Sequence, residues 1–195
     1  MRQTDAAGGP SRDAFIAAMR RVASSISVVT TDGPAGRHGA TVSAFCSVSA
    51  DPPAVLVCLN AASRIARAVA ANGRFAVNVL PEGGPALAER FAGRDDHRLA
   101  DRFSGVDCHG RPGTPPALDG ATVFECRAAR TVAEGSHMVV IGHVDAVRPG
   151  APRPLMWLDG GYHHARPAPR PEPARAAGAG ARASARASAG GRGRP

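Results

Sequence analysis

The 195-residue sequence contains no lysine, few aromatic residues, and no cysteine pair at a spacing typical of metal or redox chemistry. Its four cysteines, Cys46, Cys58, Cys108 and Cys126, form no C-x-x-C motif, which argues against a zinc site and a redox dithiol. No apolar run approaches the roughly 20 residues that a membrane helix needs, and residues 1–10 lack the apolar stretch of a signal peptide. We therefore expect a cytoplasmic protein with reduced cysteines.

Several common catalytic motifs are also missing. There is no G-x-S-x-G elbow, no P-loop and no G-x-G-x-x-G segment after a predicted strand, so a hydrolase or nucleotidase lacks its main support. His137 and His143 would lie about 20 Å apart on an extended strand, and the adjacent side chains of His163–His164 would point apart. We therefore predict no metal site. The Asp95–Asp96 side chains diverge by about 100° on a presumed helix, and we expect both to be solvated.

The net charge of +8 is concentrated at the C-terminus. Seven arginines and the single Glu172 follow Ala165, so the rest of the chain carries a net charge of only +2. Both ends of the chain have almost no large apolar side chains and cannot offset the entropy of ordering. We predict a disordered N-terminus at 1–11, one domain at 12–165 and a disordered Arg/Ala/Pro/Gly-rich tail at 166–195, with no nucleic-acid or membrane partner.

The hydrophobic pattern between these ends alternates between helix and strand. Ser11 and Ser63 are typical N-caps of short helices, the second ending at Gly73, and residues 85–104 predict one or two more helices, interrupted at Gly93. Strands are predicted at 26–31, 39–49, 54–59, 75–80, 121–131, 137–147 and 155–158. Because hairpin turns outnumber βαβ spacings, we predict a mainly β fold with Greek-key-like connections, an antiparallel closed or partly closed barrel with short outer helices.

The predicted strand from Gly39 to Ser49 has two different faces. One carries Ala40, Val42, Ala44 and Cys46, and the other carries Thr41, Ser43, Phe45 and Ser47. Small side chains allow a flat ring to approach the backbone, and hydroxyls can bond the polar edge of that ring. From the pattern alone, however, an ordinary half-exposed strand is the better interpretation.

Two groups of polar residues follow predicted strands. Asn60, Ser63 and Arg64 come at the start of a helix, where free backbone N–H groups favour an anion and arginine can bind phosphate through two hydrogen bonds. The same residues also fit a routine helix cap, which is the commoner case. Ser136 and His137 lie at a turn between strands, where the imidazole could contact a bound molecule, although a lone histidine is usually structural.

Taken in order, these segments resemble the flavin reductase-like family with the FMN-binding split-barrel fold, which includes the small components of two-component aromatic monooxygenases. The resemblance covers roughly residues 13–163. Each motif is weak alone, but their shared order makes the match specific. The motifs are residues 22–31, 38–53, 55–60 with Ser63, 75–80, Phe91–Ala92, Asp101–Phe103, Leu118–Ala121, Glu125–Cys126, Gly135–His137, Ile141–Gly142 and Gly161–Tyr162.

The resemblance implies an oxidoreductase that reduces FMN or FAD with hydride from NADH or NADPH and supplies reduced flavin to a separate monooxygenase. It also implies a homodimer with flavin near the subunit interface, the phosphate near Ser63 and Arg64, and the nicotinamide beside His137. No acid or base residue is required. The candidate cofactor-binding residues are Ala40, Thr41, Val42, Ser43, Ala44, Phe45, Cys46, Ser47, Asn60, Ser63, Arg64, Asn78, Ser136, His137 and Tyr162.

One position departs from the family pattern, which usually has Gly-Asp-His where this chain has Gly135-Ser136-His137. Serine can still hold the turn through a backbone hydrogen bond. It removes a negative charge, however, which leaves the choice between NADH and NADPH open. Two alternatives also stay open: a protein with permanently bound flavin that acts on another substrate, and a non-enzymatic flavin carrier or sensor.

Overall fold

The computed structural model describes residues 9–169. Contacts within the chain define one unit that ends at Ala165 and a second that begins at Arg166. The predicted limits of the domain stay a prediction, because most of the two predicted disordered ends lies outside the described residues. In the part of the chain that is described, no helix is long and apolar enough to cross a bilayer.

Three helices form between residues 9 and 169, and each begins at a recognisable helix start. They are α1 (Arg12–Met19), α2 (Arg64–Asn72) and α3 (Pro85–Phe91). The Ser11 and Ser63 side chains each accept a hydrogen bond from the backbone N–H three residues on, which satisfies a donor that the helix leaves unpaired. Gly73 ends α2 with a φ of 69°, a left-handed conformation that glycine adopts without a Cβ clash.

Only the first part of the helical segment predicted at 85–104 is a helix. The segment 94–103, which we call the turn segment, forms turns after α3. Gly93 interrupts the helical path with a φ of 89°. A Cβ at Gly93 would lie 2.5 Å from Nη2 of Arg102, so the glycine also leaves room for that side chain.

Twelve strands form in the described residues, and all their pairings are antiparallel. They are β1 (Ser24–Ser25), β2 (Ser27–Thr31), β3 (His38–Val42), β4 (Phe45–Ala50), β5 (Pro53–Asn60), β6 (Arg74–Val79), β7 (Cys108–His109), β8 (Ala117–Leu118), β9 (Thr122–Glu134), β10 (His137–Arg148), β11 (Leu155–Leu158) and β12 (Gly161–His164). Seven of them form one sheet in the order β3-β2-β6-β9-β10-β5-β4. The remaining strands form a three-stranded sheet, β1-β11-β12, and the pair β7-β8. The sequence did not predict the short strands β1, β7, β8 and β12. A strand of only a few residues is too short to show a periodic pattern of apolar side chains.

The two edge strands of the seven-stranded sheet are consecutive in the chain. β3 and β4 are joined only by Ser43 and Ala44, and two linking residues can span only about 10 Å. The sheet must therefore curl until its edges meet. The backbone N–H of Cys58 in β5 donates to the Ala44 carbonyl at 3.1 Å, which ties this joint to the sheet. The predicted antiparallel split barrel is thus confirmed, with α2 and α3 packed against β2 and β3.

The prediction of a single strand from Gly39 to Ser49 is wrong, because the chain forms two strands, β3 and β4, in this segment. The face to which alternate side chains point changes at the joint between them. Ala40, Val42 and Phe45 all pack against the same apolar cluster, although Val42 and Phe45 are three residues apart. By contrast, Ala44 and Cys46 are exposed. The two-residue joint shifts the alternation of inward and outward side chains by one residue. A shift of one residue moves each side chain to the opposite face of the strand.

Two apolar clusters fill the interior of the fold, one around Phe75 and the other around Phe91. Both rings are fully buried, and burying such a side chain stabilises the fold by about 1.5–3 kcal/mol. Two glycines permit this packing. A Cβ at Gly142 would lie 2.5 Å from the Phe75 ring, and one at Gly39 would lie 2.6 Å from the Phe91 ring. Gly39 thereby holds β3 close to α3.

The long hairpin of β9 and β10 turns at Gly135–Ser136, as predicted, with a φ of 53° at Gly135. β10 also pairs with β5, in a register that sets His137 opposite Asn60. The pairing between β6 and β9 ends at Arg127, so residues 128–134 extend past β6. The hairpin therefore carries His137 to the end of β5 that leads into α2.

Candidate functional site

A cleft of about 930 Å³ lies between the start of α2, strand β3 and the turn segment. This volume falls in the range of small-molecule sites. The charged side chains that line it are Arg37, Arg64, Arg67, Arg102, Asp96 and Asp101. Four arginines against two aspartates give the cleft an excess of positive charge, which favours an anionic ligand.

Arg102 holds one wall of the cleft in place. Its Nε and Nη2 atoms donate to the two carboxylate oxygens of Asp96, the first at 2.7 Å. Its Nη1 atom donates to the carbonyls of Gly39 and Phe91, at 3.1 and 2.8 Å. One guanidinium thus ties the turn segment to β3 and to the end of α3. The hydrogen bonds from Arg102 also lower the pKa of Asp96 below its ordinary value. The Asp96 side chain is 52% exposed, in agreement with the predicted solvation, but the sequence did not predict its ion pair.

A second ion pair fixes the other end of the turn segment. Arg37 donates to Asp101 at 2.6 Å, and its guanidinium carbon lies 4.7 Å from the centre of the Phe103 ring. Burial by itself would raise the pKa of Asp101, but the backbone N–H of Phe103 and the Arg37 guanidinium outweigh it and lower that pKa. Both aspartates of the cleft are therefore paired carboxylates that build its wall.

Once Arg102 and Arg37 are paired with the two aspartates, Arg64 and Arg67 account for the excess positive charge of the cleft. Neither forms an ion pair with any residue between 9 and 169, and Arg67 makes one hydrogen bond, from Nη1 to the Ala62 carbonyl at 3.1 Å. Both lie on the first turn of α2, next to the Ser63 cap. Guanidinium groups beside a helix N-terminus suit the binding of phosphate. This donor set fits the phosphate of a flavin nucleotide.

The end of β5 and the β9–β10 turn form a polar edge that is linked to the cleft through Ser63. The Ser63 hydroxyl donates to the Asn60 carbonyl at 2.6 Å, and the N–H of Ala61 donates to the Ser136 carbonyl at 3.0 Å. The Ser136 hydroxyl lies 2.9 Å from Nδ1 of His137. The structure thus brings together Asn60, Ser63, Arg64, Ser136 and His137, which come from two distant parts of the sequence.

Comparison with known proteins places this chain in a family. The family described as "Flavin reductase like domain" matches residues 19–166. The chain belongs to the flavin reductase-like family. It is 42% identical over 155 residues to the FMN reductase (NADH) RutF of Ancylobacter novellus, covering 78% of this chain and 84% of that protein. It is 40% identical over 151 residues to the protein of the same name from Klebsiella pneumoniae, covering 76% and 91%.

Solved structures of flavin reductase components have the same fold as this flavin reductase-like chain. The styrene monooxygenase flavin reductase of Pseudomonas putida S12 is 32% identical, with a TM-score of 0.69 over 80% of this chain and 99% of that one. Nitrilotriacetate monooxygenase component B of Mycobacterium thermoresistibile is 28% identical, with a TM-score of 0.71 over 83% and 93%. The predicted family is thus confirmed by both sequence and fold.

The β3–β4 segment of this family member offers fewer free side chains than the sequence predicted. Ala40 lines the cleft. The Thr41 hydroxyl donates to the Ala88 carbonyl at 2.7 Å, and Val42 and Phe45 pack against the core. The side chains left exposed belong to Ser43, Ala44, Cys46 and Ser47. Their contact with a flavin stays a prediction.

Asn78 cannot contact a ligand, contrary to the sequence prediction. Its side chain is fully buried and lies in the barrel wall. Its amide nitrogen donates to the Val28 carbonyl and the Thr30 hydroxyl, at 3.0 and 3.1 Å, and its amide oxygen accepts from the Leu118 N–H at 2.7 Å. A buried amide with these three bonds is a structural link between β6, β2 and β8.

Tyr162 does not line the cleft. Its hydroxyl donates to Glu89 in α3 at 2.7 Å, and its ring packs edge-on against Trp157, with 5.0 Å between the ring centres. Burial, together with the hydrogen bond to Glu89, raises the pKa of Tyr162 to about 12. In this chain Tyr162 joins β12 to α3, and its contact with flavin stays a prediction.

The remaining histidines do not gather into a shared site. Nδ1 of His164 lies 3.3 Å from Glu82, which also pairs with Arg153, and Nε2 of His163 lies 3.2 Å from the Leu158 carbonyl. Among residues 9–169, no three or more side chains of His, Cys, Asp or Glu come together as metal ligands.

The sequence analysis assigned no role in the cleft to five charged residues that line it, Arg37, Arg67, Asp96, Asp101 and Arg102. Arg102 and Asp96 are separated by six residues, but the carbonyl that Arg102 binds in β3 is 63 residues away. No local pattern reports such a contact. The only sequence signal for any of these residues was the Asp101–Phe103 motif, which indicated family membership but no role in the cleft.

Replacing Asn78 by alanine should destabilise the fold and leave ligand binding unchanged. The substitution removes three buried hydrogen bonds, including the partner of the Leu118 N–H, so we expect the free energy of unfolding to fall by about 2–4 kcal/mol. Urea unfolding measures this loss. Asn60→Ala is the matched control, because Asn60 is exposed and its substitution should cost less than about 1 kcal/mol. Unchanged stability together with weaker flavin binding in Asn78→Ala would show that the structural role is wrong.

Proposed function

We propose that this protein is an NADH-dependent FMN reductase that moves hydride from the reduced nicotinamide to the flavin. The observation that carries the proposal is the cleft with Arg64, which forms no ion pair with a described residue, in a chain of the flavin reductase-like family. Ser63 of the cleft bonds to Asn60, which lies opposite His137. The relatives from A. novellus and K. pneumoniae are named FMN reductase (NADH), which supports FMN and NADH as substrates. FAD and NADPH stay further candidates.

In this proposal, the start of α2 binds the flavin phosphate. Arg64 lies next to the Ser63 cap and has no carboxylate partner among the described residues. A charge-assisted, two-pronged hydrogen bond to phosphate orients a ligand as well as binding it. The Asp96–Arg102 ion pair holds in place the wall of the cleft opposite the start of α2.

His137 would position the nicotinamide. The imidazole stands at the first residue of β10, and the adjacent Ser136 hydroxyl engages its Nδ1 atom. This contact restrains the ring and leaves Nε2 as the nitrogen available to a ligand. Serine does so without the negative charge of the family's usual aspartate.

The chain itself needs no acid or base for this reaction. A bound flavin supplies the hydride acceptor, so the protein contributes alignment of the two substrates. The cleft holds the anionic end of one substrate, and the polar edge of Asn60 and His137 holds the other. The exposed joint at Ser43–Ala44 and the small side chains beside it leave space for a flat ring.

We also propose that two copies of this chain form a homodimer through α1. The helix buries none of its residues, and Phe15 is 58% exposed and Met19 49% exposed. Val22, just after the helix, is 50% exposed. A contiguous exposed apolar face of this kind indicates a surface that binds another protein. Among the proteins of this fold, a second copy is the occupant that the family resemblance implies.

The partner in catalysis would be a separate monooxygenase that consumes reduced flavin. The solved relatives include the flavin reductase of a styrene monooxygenase and component B of a nitrilotriacetate monooxygenase. These names support a two-component system for this chain as well. A cytoplasmic location stays a prediction.

Mixing the protein with NADH and FMN should give sustained oxidation of NADH, followed by absorbance at 340 nm. The rate should rise with added free FMN and then saturate, because the flavin is a diffusible substrate. FAD, riboflavin and NADPH complete the assay. A rate that does not depend on added flavin would favour a permanently bound flavin. Tight flavin binding with no NADH oxidation would favour a carrier or sensor, and either result would overturn the proposal.

Arg64→Ala should raise the KM for FMN about tenfold or more, since a charge-assisted bond to phosphate is lost. The KM for riboflavin, which has no phosphate, should change less than about twofold on the same grounds. Steady-state kinetics with both flavins measures the difference. His137→Ala is the contrasting variant, because it should raise the KM for NADH without separating FMN from riboflavin. Equal increases of the KM values for FMN and riboflavin in Arg64→Ala would show that Arg64 does not bind the flavin phosphate.

Sedimentation equilibrium should give a particle with the mass of two chains. Phe15→Asp places a charge in the apolar face of α1 and should shift the protein towards one chain, because burying an unpaired charge is strongly unfavourable. Ala17→Asp, which places the same charge at an exposed position of the helix about 160° away from Phe15 and Met19, is the control. A wild-type mass of one chain would exclude the dimer, and an intact dimer in Phe15→Asp would exclude α1 as its interface.

A further inference from the structure

Two of the four cysteines are neighbours across one hairpin, although their spacing in the sequence forms no motif. Cys46 lies in β4 and Cys58 lies in β5. Cys46 is opposite Leu56, and the N–H of Cys58 donates to the Ala44 carbonyl. Cys58 is therefore one position diagonally across from Cys46. Diagonal neighbours on the same face of an antiparallel pair have Cα atoms about 7–8 Å apart.

Both thiols point away from the apolar core. Phe45 and Val57, which precede Cys46 and Cys58 in their strands, lie opposite each other and pack inside the barrel. Because successive side chains of a strand point to opposite faces, the two thiols lie on the outer face of the barrel wall. Cys46 is exposed and Cys58 is partly exposed. A small oxidant in solution can therefore reach the pair.

The other two cysteines lie in different surroundings. Cys126 is buried, and burial raises the pKa of its thiol to about 12. Oxidants react with the thiolate and not with the thiol, so Cys126 is inert at neutral pH. Cys108 belongs to β7, outside the seven-stranded sheet, and packs against the cluster around Phe91. Oxidation within the chain would therefore join Cys46 to Cys58.

The cysteine pair lies between two parts of the proposed substrate surface. Ala44 of the joint is bonded to Cys58 across the hairpin. Asn60 is two positions beyond Cys58 in β5, points to the same face and lies opposite His137. A bond between the two sulfur atoms would thus form beside the exposed joint, where the proposed function leaves space for the flavin ring.

We propose that Cys46 and Cys58 form a reversible disulfide that lowers the reductase activity when hydrogen peroxide accumulates. This inference rests on the proposed function, since reduced FMN that no monooxygenase consumes reacts with O₂ to give FMN and hydrogen peroxide. The disulfide would then slow the production of reduced flavin until a thiol reductant restores the pair. Exposed thiols with a second thiol nearby are typical of cysteines that sense oxidants.

The reaction takes place in two steps. The more exposed Cys46 thiolate attacks one oxygen of the peroxide, the O–O bond breaks, and the other oxygen leaves as water, so that Cys46 becomes a sulfenic acid. The Cys58 thiolate then attacks the Cys46 sulfur, the S–O bond breaks and a second water leaves. Two thiols are thereby oxidised to one disulfide, and one peroxide is reduced to two waters.

Closing this bond moves the edge of the sheet. The Cα atoms of a disulfide usually lie within about 6.8 Å of each other, so β4 must approach β5 by about 1 Å. β4 pairs only with β5, and the register of that pairing shifts between Ser47 and Ser49, so one side of β4 is free to move. Cys46 directly follows Phe45 at the joint, and its movement displaces the surface proposed for the flavin.

Hydrogen peroxide added to the full-length protein, and then removed with catalase, should lower NADH oxidation with FMN about tenfold or more, because a displacement of about 1 Å misaligns reacting groups. The mass of the chain should fall by two hydrogen atoms, and a peptide map should join Cys46 to Cys58. Dithiothreitol should restore both the mass and the rate. Absence of this disulfide, or its formation without loss of rate, would show that the proposal is wrong.

Cys58→Ser and Cys108→Ser are matched variants, because both cysteines are partly exposed and only the first is a neighbour of Cys46. Each variant is compared with its own untreated sample. Cys108→Ser should respond to peroxide like the wild type. Cys58→Ser should form no disulfide within the chain and retain most of its rate, because nothing draws β4 towards β5. A reversible loss of rate in Cys58→Ser as large as in the wild type would overturn the proposal.

The mass measurement needs no substrate, so it separates this inference from the proposed function. An active reductase that forms no disulfide would remove only the inference. Inactivity of the untreated protein with every flavin would remove the proposed function.

Discussion

Two residues, Ser43 and Ala44, hold the opposite edges of the seven-stranded sheet together, and the position of the site depends on this short joint. Because β3 and β4 are so closely linked, β4 and β5 curl round to lie near β3. The chain then leaves β5 through Asn60 and enters α2 at Ser63. As a result, the first turn of α2 faces β3 across the cleft, while Asn60 stays paired with His137 of β10.

Within this frame, the four cleft arginines differ in what they contact, although their chemistry is the same. Arg102 makes four hydrogen bonds to the protein and builds the wall, and Arg37 is held by an aspartate and an aromatic ring. Arg64 and Arg67 form no ion pair with any residue between 9 and 169. A guanidinium already satisfied by the fold gains little from a ligand, whereas an uncommitted one can bind an anion. The structure therefore separates the arginines that support the fold from those that are open to a ligand.

The two asparagines predicted as cofactor residues show the same effect of environment. Asn78 is buried between strands, with its amide group fully bonded, and it holds the barrel wall together. Asn60 is exposed at a strand end, where its side chain accepts a hydrogen bond from Ala62. Asn60 follows a predicted apolar strand and Asn78 lies within one, and neither position by itself reports whether the side chain is buried. Only burial distinguishes a structural amide from one that a ligand can reach.

The sequence by itself determined the features that depend on near neighbours and on the order of motifs. Ser11 and Ser63 mark the starts of two helices and Gly73 marks the end of the second, because capping acts over three or four residues. The Gly135–Ser136 turn depends only on the two strands that it joins. The family, and with it the split barrel, followed from motif order. Only the tertiary structure decided the reversal of faces at Ser43–Ala44, the burial of Asn78 and the bond from Arg102 to Gly39. The physical reason is that these depend on strand pairing and packing between distant segments, which no local periodicity records.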